Sequence, residues 1–328
     1  MRKHNALNII IVLLAPVVLY LFFLLLRPES FGQLNTLYIV VTQSFITCMV
    51  AWGMSPIVQI DQFDLSLGAE MILDSILATM FCQSLGVPGI FIGCLLGAAI
   101  CGFVKGTMYR LMHIPIMILT VALVYLLGAI GGIITNSKAV TIPSNMTLFG
   151  RAPGNVIVFL VTGAIVYYFM NKSTYGANLK AMAGSAEIAR ANGINVEMTV
   201  FKSLLFSSLL AGVAAVVQLS HGSGVTPSVG LDSIQNIMEP MMSVFIGLVM
   251  SRYVNIVFST FVGSLLMTVI SNGITAMNWP SSLYNVVIGC VLLIIMAYIN
   301  IATVVTKRRT ERSKAQENVE AYKRAEAA

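Results

Sequence analysis

The chain has 328 residues, of which 57% are hydrophobic and only 10% are charged, and its mean hydropathy is +0.88. Soluble globular proteins carry about 25% charged residues. This composition excludes a cytosolic enzyme and a disordered protein, and it argues against a nucleic-acid-binding protein despite the net charge of +6. The sequence therefore predicts an integral membrane protein.

Ten segments are apolar enough to cross a bilayer, for which a helix needs about 20 residues. They are predicted at 7–26, 37–54, 69–85, 89–111, 115–135, 156–170, 200–219, 237–250, 254–275 and 283–305. The third and the eighth are the weakest. Several are shorter than a full span, which indicates either trimmed ends or broken helices that line a cavity. We expect an all-α, polytopic fold with about ten transmembrane helices.

The distribution of Lys and Arg predicts the orientation, because cytoplasmic segments carry the excess of basic residues. With the N terminus inside, sixteen of the 19 basic residues, Lys105 among them, fall on the inner side. The outer side holds only Arg27, Lys138 and Arg151. An odd number of spans would place one basic terminus outside, so we expect both termini in the cytoplasm.

Small residues recur at about four-residue spacing along the fourth segment, at Gly93, Gly97, Gly102 and Gly106. Such spacing lets helices approach closely, and we interpret it as packing within the chain rather than as a dimer seam. No sequence repeat relates the two halves. The cysteines and histidines lack metal-ligand spacing, so no metal site and no catalytic residue is predicted.

Four acidic residues, Asp61, Asp64, Glu70 and Asp74, lie within fourteen positions at the edge of the third segment. A charge held in the membrane costs a few kcal/mol unless it is paired or hydrated, so these residues indicate a solute pathway or a feature that the fold requires. Asp and Ser side chains accept hydrogen bonds from the amides of a first helical turn. We interpret Asp64 and Ser66 first as helix caps and second as contacts for a solute or cation.

The long inner loop, 171–198, has the start and stop signals of a short helix. Ser185 is the predicted N-cap, 186–191 the helix and Gly193 the residue that ends it. Such a helix outside the bilayer suits the docking of a soluble partner, with Glu187 and Arg190 exposed for contact.

Residues 175–196, Tyr-Gly-Ala-Asn-Leu-Lys-Ala-Met-Ala-Gly-Ser-Ala-Glu-Ile-Ala-Arg-Ala-Asn-Gly-Ile-Asn-Val, resemble the cytoplasmic loop of permease subunits of ribose-type ABC importers. This branch also includes other monosaccharide, autoinducer-2 and nucleoside systems. Residues 63–68, Phe-Asp-Leu-Ser-Leu-Gly, are similar to the family's Gly-Ile-Asp-Leu-Ser-Val-Gly segment. Residues 271–275 and 278–289 resemble its penultimate and last helices. The resemblance covers about residues 35 to 300.

The resemblance implies a bacterial cytoplasmic-membrane permease that works as a pair of membrane subunits, embedded in the lipid bilayer and without nucleic acid. A cytoplasmic ATP-binding subunit would power transport, and an extracytoplasmic solute-binding protein would deliver the solute to the permease. Residues 1–306 would form the permease domain, including the coupling loop 171–198, and 307–328 a charged cytoplasmic tail. The residues implied to couple the chain to the ATPase are Gly184, Ser185, Ala186, Glu187, Ile188, Ala189, Arg190 and Gly193.

The chain has no Gly-x-x-x-x-Gly-Lys-Ser/Thr phosphate loop. We therefore expect that it binds no cofactor itself and is not an enzyme, and that ATP and Mg²⁺ are held by the partner ATPase.

Two departures from the family pattern add bulk. After Gly247 the family has a glycine-rich stretch, whereas residues 248–256 read Leu-Val-Met-Ser-Arg-Tyr-Val-Asn-Ile, and Gln62 replaces a glycine. Glycine permits close backbone approach, so this bulk favours pairing with a non-identical permease. A homodimer in which the stretch is peripheral is the alternative.

The leading hypothesis is a permease subunit of an ATP-driven importer for a small polar solute, a monosaccharide or a related compound. Candidate pathway residues are the polar side chains in or beside apolar segments, although each also suits a helix-to-helix hydrogen bond. They are Gln43, Asp64, Ser66, Glu70, Asp74, Glu239, Asn272 and Asn285. The alternative is an ion-coupled secondary transporter that uses the intramembrane carboxylates. A third class, a membrane-embedded enzyme, is disfavoured because the sequence has no paired nucleophile and base and no metal set at usable spacing.

Overall fold

The computed structural model describes residues 6–112, 114–222, 224–228, 230–251, 253–279, 282–283, 285–291 and 293, with side chains from residue 13 onward. Residues up to 279 and those from 280 onward form two separate units. The α-helices of the first unit are α1 (Ala6–Leu26), α2 (Pro28–Phe31), α3 (Leu34–Val58), α4 (Leu67–Leu85), α5 (Val87–Met112), α6 (Ile116–Thr135), α7 (Gly154–Asn171), α8 (Thr174–Gly184), α9 (Ala186–Ala191), α10 (Val196–Ser220), α11 (Gln235–Met250) and α12 (Ile256–Ala276).

The described part of the chain is helical apart from loops and one isolated bridge between Val140 and Val225. Nine of the ten predicted segments coincide with helices, and the tenth is helical at 285–291. Within the described residues, seven helices are long and apolar enough to cross a membrane. The all-α membrane fold is thereby confirmed with seven candidate spans. The predicted tail, 307–328, lies outside the described residues.

Four of the helices that begin on the predicted inner side, α8, α9, α10 and α12, start with the capping residues that physical chemistry favours. A side-chain oxygen at the N-cap accepts a hydrogen bond from a first-turn amide that has no partner inside the helix. Asn195 does so for α10 and Asn255 for α12, at 2.8 and 3.0 Å. Ser173 and Ser185 start α8 and α9 in the same way.

Helix α5 lies between α4 and α10, and its glycines make this possible. A Cβ at Gly93 would lie 2.5 Å from the Ala78 Cα of α4, and one at Gly102 would lie 3.0 Å from the Leu205 Cα of α10. The first distance is shorter than real Cβ contacts and the second is at their lower limit, so both positions favour glycine. The interpretation of the spaced glycines as packing within the chain is confirmed.

Two groups of three helices have the same contacts. Helix α4 packs against α5 and α10, and α5 also packs against α10; likewise α11 packs against α12 and α3, and α12 against α3. Exchanging α3 with α10, α4 with α11 and α5 with α12 therefore reproduces the packing. Helices α3 and α10 are antiparallel, because Ile57 packs with Val200 whereas Gly53 lies against Leu210. The helices α3–α5 and α10–α12 thus form an inverted repeat that the sequence does not reveal.

In each repeat a long helix is followed by a largely non-helical segment and a shorter helix. These segments are 59–66 before α4 and 221–234 before α11. Asp64 lies 3.4 Å from Ser207, near the middle of α10, and a Cβ at Gly68 would lie against the Ser233 carbonyl oxygen. Helix α4 thus begins among the other helices, which favours the broken-helix interpretation for the third segment.

Candidate functional site: two carboxylate centres and a capped cytoplasmic helix

The first site is a buried ion cluster that we call the lysine centre: Asp64, Ser66, Glu70, Lys105, Ser207 and Ser208. The Lys105 Nζ atom lies 2.5 Å from Asp64 Oδ2 and 2.7 Å from Glu70 Oε1, and all three side chains are fully enclosed. A buried charge is tolerated when it is paired and its remaining hydrogen-bonding positions are filled. Lys105 therefore compensates two carboxylates that would otherwise be strongly unfavourable here.

Serine hydroxyls complete the lysine centre. Ser66 Oγ lies 2.7 Å from Asp64 Oδ1 and 2.6 Å from Glu70 Oε1, so the two carboxylates share its proton. Ser208, from α10, donates to Glu70 Oε2 at 2.6 Å. Ser66 occupies the N-cap position of α4 without a capping bond, and Asp64 accepts from the Ser66 amide rather than from a first-turn amide. The capping interpretation of both residues is wrong, because the ion cluster engages their oxygens.

Asp74 lies one turn beyond Glu70 on α4 and is fully buried. Neither of its carboxyl oxygens has a hydrogen-bond partner among the described residues. Gly97 of α5 and Gly212 of α10 flank it, because Cβ atoms there would lie within 3.5 Å of its oxygens. The missing side chains of these glycines provide the room that Asp74 occupies.

The sequence analysis missed Lys105 as a site residue and counted it with the inner basic residues. It lies inside the bundle and is 0% exposed. Removing it from that count leaves fifteen inner basic residues against three outer ones. This excess still supports the predicted orientation. A lone lysine within an otherwise apolar span, in a chain with surplus intramembrane acids, is the signal that could have identified it.

The second site, which we call the threonine centre, comprises Gln43, Thr47, Glu239, Thr268 and Asn272. Glu239 Oε1 accepts hydrogen bonds from Thr47 of α3 at 3.3 Å and from Thr268 of α12 at 3.0 Å. One turn along both helices, Asn272 donates to Gln43 Oε1 at 2.7 Å. Glu239 is partly buried and Gln43 is exposed. The threonine centre is therefore a polar strip that reaches the surface of the chain.

The two centres occupy matching places in the inverted repeat. Glu70 stands near the start of α4 and is bonded from α5 and α10. Glu239 stands near the start of α11 and is bonded from α12 and α3. Each short helix thus presents a carboxylate to the middle of the long helix of the other repeat.

The structure sorts the eight predicted pathway residues into separate places. The lysine centre contains Asp64, Ser66 and Glu70, with Asp74 beside it; the threonine centre contains Gln43, Glu239 and Asn272; and Asn285 is exposed in the helical stretch 285–291 of the second unit. The sequence analysis did not select Thr47 and Thr268, since threonine in an apolar helix more often bonds its own backbone.

The predicted cytoplasmic helix is present as α9, with Ser185 accepting from the Ile188 amide. Gly193 ends it at a φ of +81°, a conformation that favours glycine. Ala189 is buried in a cluster with Ile57 and Val200. This contact fixes α9 to the C-terminal end of α3 and the N-terminal end of α10.

The outer face of α9 is available for contact. Ile188 is 66% exposed, Glu187 is exposed, and Arg190 pairs with Glu197 across the surface. The other predicted coupling residues, Gly184, Ser185, Ala186, Ala189, Arg190 and Gly193, lie in or next to α9.

The sequence analysis did not predict α8, which precedes α9 in the same loop. Tyr175 of α8 bonds Ser203 of α10 at 2.8 Å, and burial raises the pKa of its phenol. Helix α8 is thus attached to the bundle at this point, which gives α9 a fixed base.

Three comparisons place the chain among known proteins. It is 24% identical to the ribose import permease protein RbsC of Escherichia coli K12, over 88% of this chain and 92% of that one. It is 24% identical to the fructose import permease protein FrcC of Rhizobium meliloti, over 82% and 78%. It is 22% identical to the galactose/methyl galactoside import permease protein MglC of Salmonella typhimurium, over 83% and 87%.

A solved structure of a metal-chelate type ABC transporter in an inward-facing conformation matches with a TM-score of 0.53 at 12% identity. The match covers 88% of this chain and 98% of that chain, and it shows a shared fold. Residues 36–296 match the family described as the branched-chain amino acid transport system / permease component. The chain therefore belongs to this family, and it is a multi-pass membrane permease subunit of an ATP-driven importer, with ATP hydrolysis carried out by a separate subunit rather than by this chain.

Proposed function

We propose that this permease imports a monosaccharide. The observation that carries the proposal is that relatives aligned over 82% or more of the chain are named for the import of fructose, ribose and galactose. The threonine centre is consistent with such a solute, because amides, hydroxyls and a carboxylate can all accept or exchange hydrogen bonds with sugar hydroxyls. The description of the family as a whole names branched-chain amino acids, and these are the solutes against which the proposal is tested.

The solute route that we propose runs along the threonine centre. Gln43, Glu239 and Asn272 form a polar strip that is partly open to the surface. Asp64, Ser66, Glu70 and Asp74 would serve the route indirectly, by fixing the start of α4 against α5 and α10. Asn285 remains a predicted pathway residue.

The proposed assembly contains two permease chains, identical or not, an ATP-binding subunit that holds ATP and Mg²⁺, and an extracytoplasmic solute-binding protein. Helix α9 would dock on the ATP-binding subunit, with Ile188 entering a groove and Glu187 at its edge. About ten spans, both termini in the cytoplasm, a permease domain of 1–306 and a tail of 307–328 belong to the same proposal. Family membership supports the need for the ATPase and binding-protein partners.

Uptake into proteoliposomes that hold the complete transporter tests the solute. Radiolabelled ribose, fructose and galactose are compared with leucine, each with ATP inside. We expect uptake of at least one sugar and none of leucine. Uptake of leucine without any sugar would overturn the proposed solute class.

Substitution of Ile188 tests the docking of α9. Ile188→Ser removes the exposed apolar side chain, so the ATP-binding subunit should no longer co-purify and uptake should fall to background. Ala183→Ser, at an exposed position of α8, is the matched control and should behave as the parent. Full co-purification of the ATPase with Ile188→Ser would contradict the proposed docking.

A further inference from the structure

A small cavity of about 210 Å³ lies between α4, α10, the segment 221–234 and the start of α11. Buried Met71 and Ile72 of α4 form part of its apolar wall. Its polar lining comes from Ser75, Gln218, Thr226 and Asn236, one each from the four elements that surround it.

Most of the polar side chains that line this cavity have no hydrogen-bond partner among the described residues of the protein, and those of Thr226 and Asn236 are exposed. In the described part of the chain, no hydrogen bond joins the side chain of Gln218, Thr226 or Asn236 to another residue. Ser75 donates to the Met71 carbonyl at 2.7 Å, so its oxygen is left to accept. None of the described lining residues is charged. The cavity thus offers amide donors together with amide and hydroxyl acceptors, and no ionic partner.

The rim of the cavity is held in place. Val225 exchanges two backbone hydrogen bonds of 2.9 Å with Val140 of the loop after α6. A Cβ at the neighbouring Gly224 would lie 2.7 Å from the Thr141 side chain. The rim is therefore joined to that loop by a two-bond bridge and lies close against it.

The segment that forms the rim contains further polar atoms without protein partners. Among the described residues, the buried side-chain atoms that lack a hydrogen bond include those of Ser220, His221, Ser228 and Ser233. Leaving such a group unsatisfied costs about 1–3 kcal/mol, and a fold usually retains such groups where a ligand or water is bound. Three of these residues lie in the segment 221–234 and Ser220 lies directly before it, next to the cavity but not in its lining.

We propose that this cavity is a solute subsite within the permease, for an uncharged polyhydroxylated molecule of monosaccharide size. The proposal rests on the proposed function for the identity of the solute. Drug-sized ligands occupy pockets of roughly 300–1,000 Å³, so a cavity of this size selects a smaller molecule. A charged solute would find no counter-charge on the described lining, so the cavity favours an uncharged one. Asn236 lies one turn before Glu239 of the threonine centre on α11.

Saturation-transfer NMR on the permease with its ATP-binding subunit in nanodiscs, without the solute-binding protein, tests the subsite. The probes are ribose, fructose and galactose, with galacturonate as the charged counterpart of galactose. We expect signals for at least one neutral sugar and none for galacturonate. Gln218→Leu and Asn236→Leu should each weaken binding about tenfold, which corresponds to about 1.4 kcal/mol.

Asn145→Leu replaces an exposed amide on a loop outside the cavity, and it should bind as the parent does. Thr226→Val, at an exposed part of the rim, serves as a further variant if Gln218→Leu does not fold. Equal signals for galactose and galacturonate, or parental binding in the cavity variants, would overturn the subsite. Sugar uptake by the complete transporter would still stand in that case, so the proposed function and the subsite fail separately.

Discussion

The lysine centre and the threonine centre have equivalent positions and different characters. Both place a glutamate near the start of a broken helix, against the middle of a long helix from the other repeat. In the first, an ammonium group and serine hydroxyls enclose the carboxylate completely. In the second, the described bonds come from threonine hydroxyls, and the polar strip reaches the surface. The same arrangement of helices thus holds a fully buried ion cluster in one half and an accessible polar strip in the other.

The difference teaches how a transporter can divide stability and solute contact between two related halves. A buried ion cluster resists rearrangement, because removing one partner leaves a charge without compensation. A hydroxyl-bonded carboxylate at a partly open surface can exchange partners at much lower cost. We therefore expect substitutions in the lysine centre to affect folding, and those in the threonine centre to affect transport.

The largest effect is expected for Lys105→Met, which strands two buried carboxylates. The loss should be about 3–5 kcal/mol of unfolding free energy, measured as a drop in melting temperature and in detergent-extracted yield. Lys202→Met, on the exposed side of α10, should stay within about 0.5 kcal/mol. Adding Asp64→Asn and Glu70→Gln to Lys105→Met should restore much of the loss. A melting temperature unchanged by Lys105→Met would show that the ion cluster does not stabilise the fold.

A smaller and more selective effect is expected from neutralising each glutamate in turn. Glu70→Gln removes a charge partner of Lys105 and should cost about 2–3 kcal/mol, as for a hydrogen bond between charged groups. Glu239→Gln keeps an acceptor for Thr47 and Thr268, so its melting temperature should change little while sugar uptake falls several-fold. Thermal unfolding and proteoliposome uptake are measured on both variants. Equal destabilisation by the two substitutions would remove the proposed division of roles.

The smallest effects concern single hydroxyls. Ser208→Ala deletes a 2.6 Å bond to the enclosed Glu70, and it should cost about 1.5–3 kcal/mol because the acceptor is charged and buried. Thr268→Val deletes a 3.0 Å bond to the partly exposed Glu239, where water can replace the lost donor, and about 1 kcal/mol or less is expected. Chemical denaturation in mild detergent compares the two. A larger loss of unfolding free energy for Thr268→Val than for Ser208→Ala would contradict the expectation that the lysine centre contributes more to stability.

Local patterns predicted the parts of this protein that depend on nearby residues. Apolar runs long enough to span a bilayer gave the positions of the helices, because burial in lipid requires length and hydropathy that each segment carries itself. Ser185 and Gly193 gave the bounds of α9, because capping bonds join residues three or four positions apart. The spaced glycines of α5 likewise predicted close packing before the partners were known.

Only the tertiary structure decided which polar residues meet. Lys105 reaches Asp64 and Glu70 because α5 packs against α4, and 41 and 35 positions of chain separate these partners. Thr47 and Glu239 are 192 positions apart. A sequence pattern records the type and spacing of such residues but not the register in which two helices pack. For the same reason the inverted repeat, which is a matter of packing rather than of shared residues, is visible only in the folded chain.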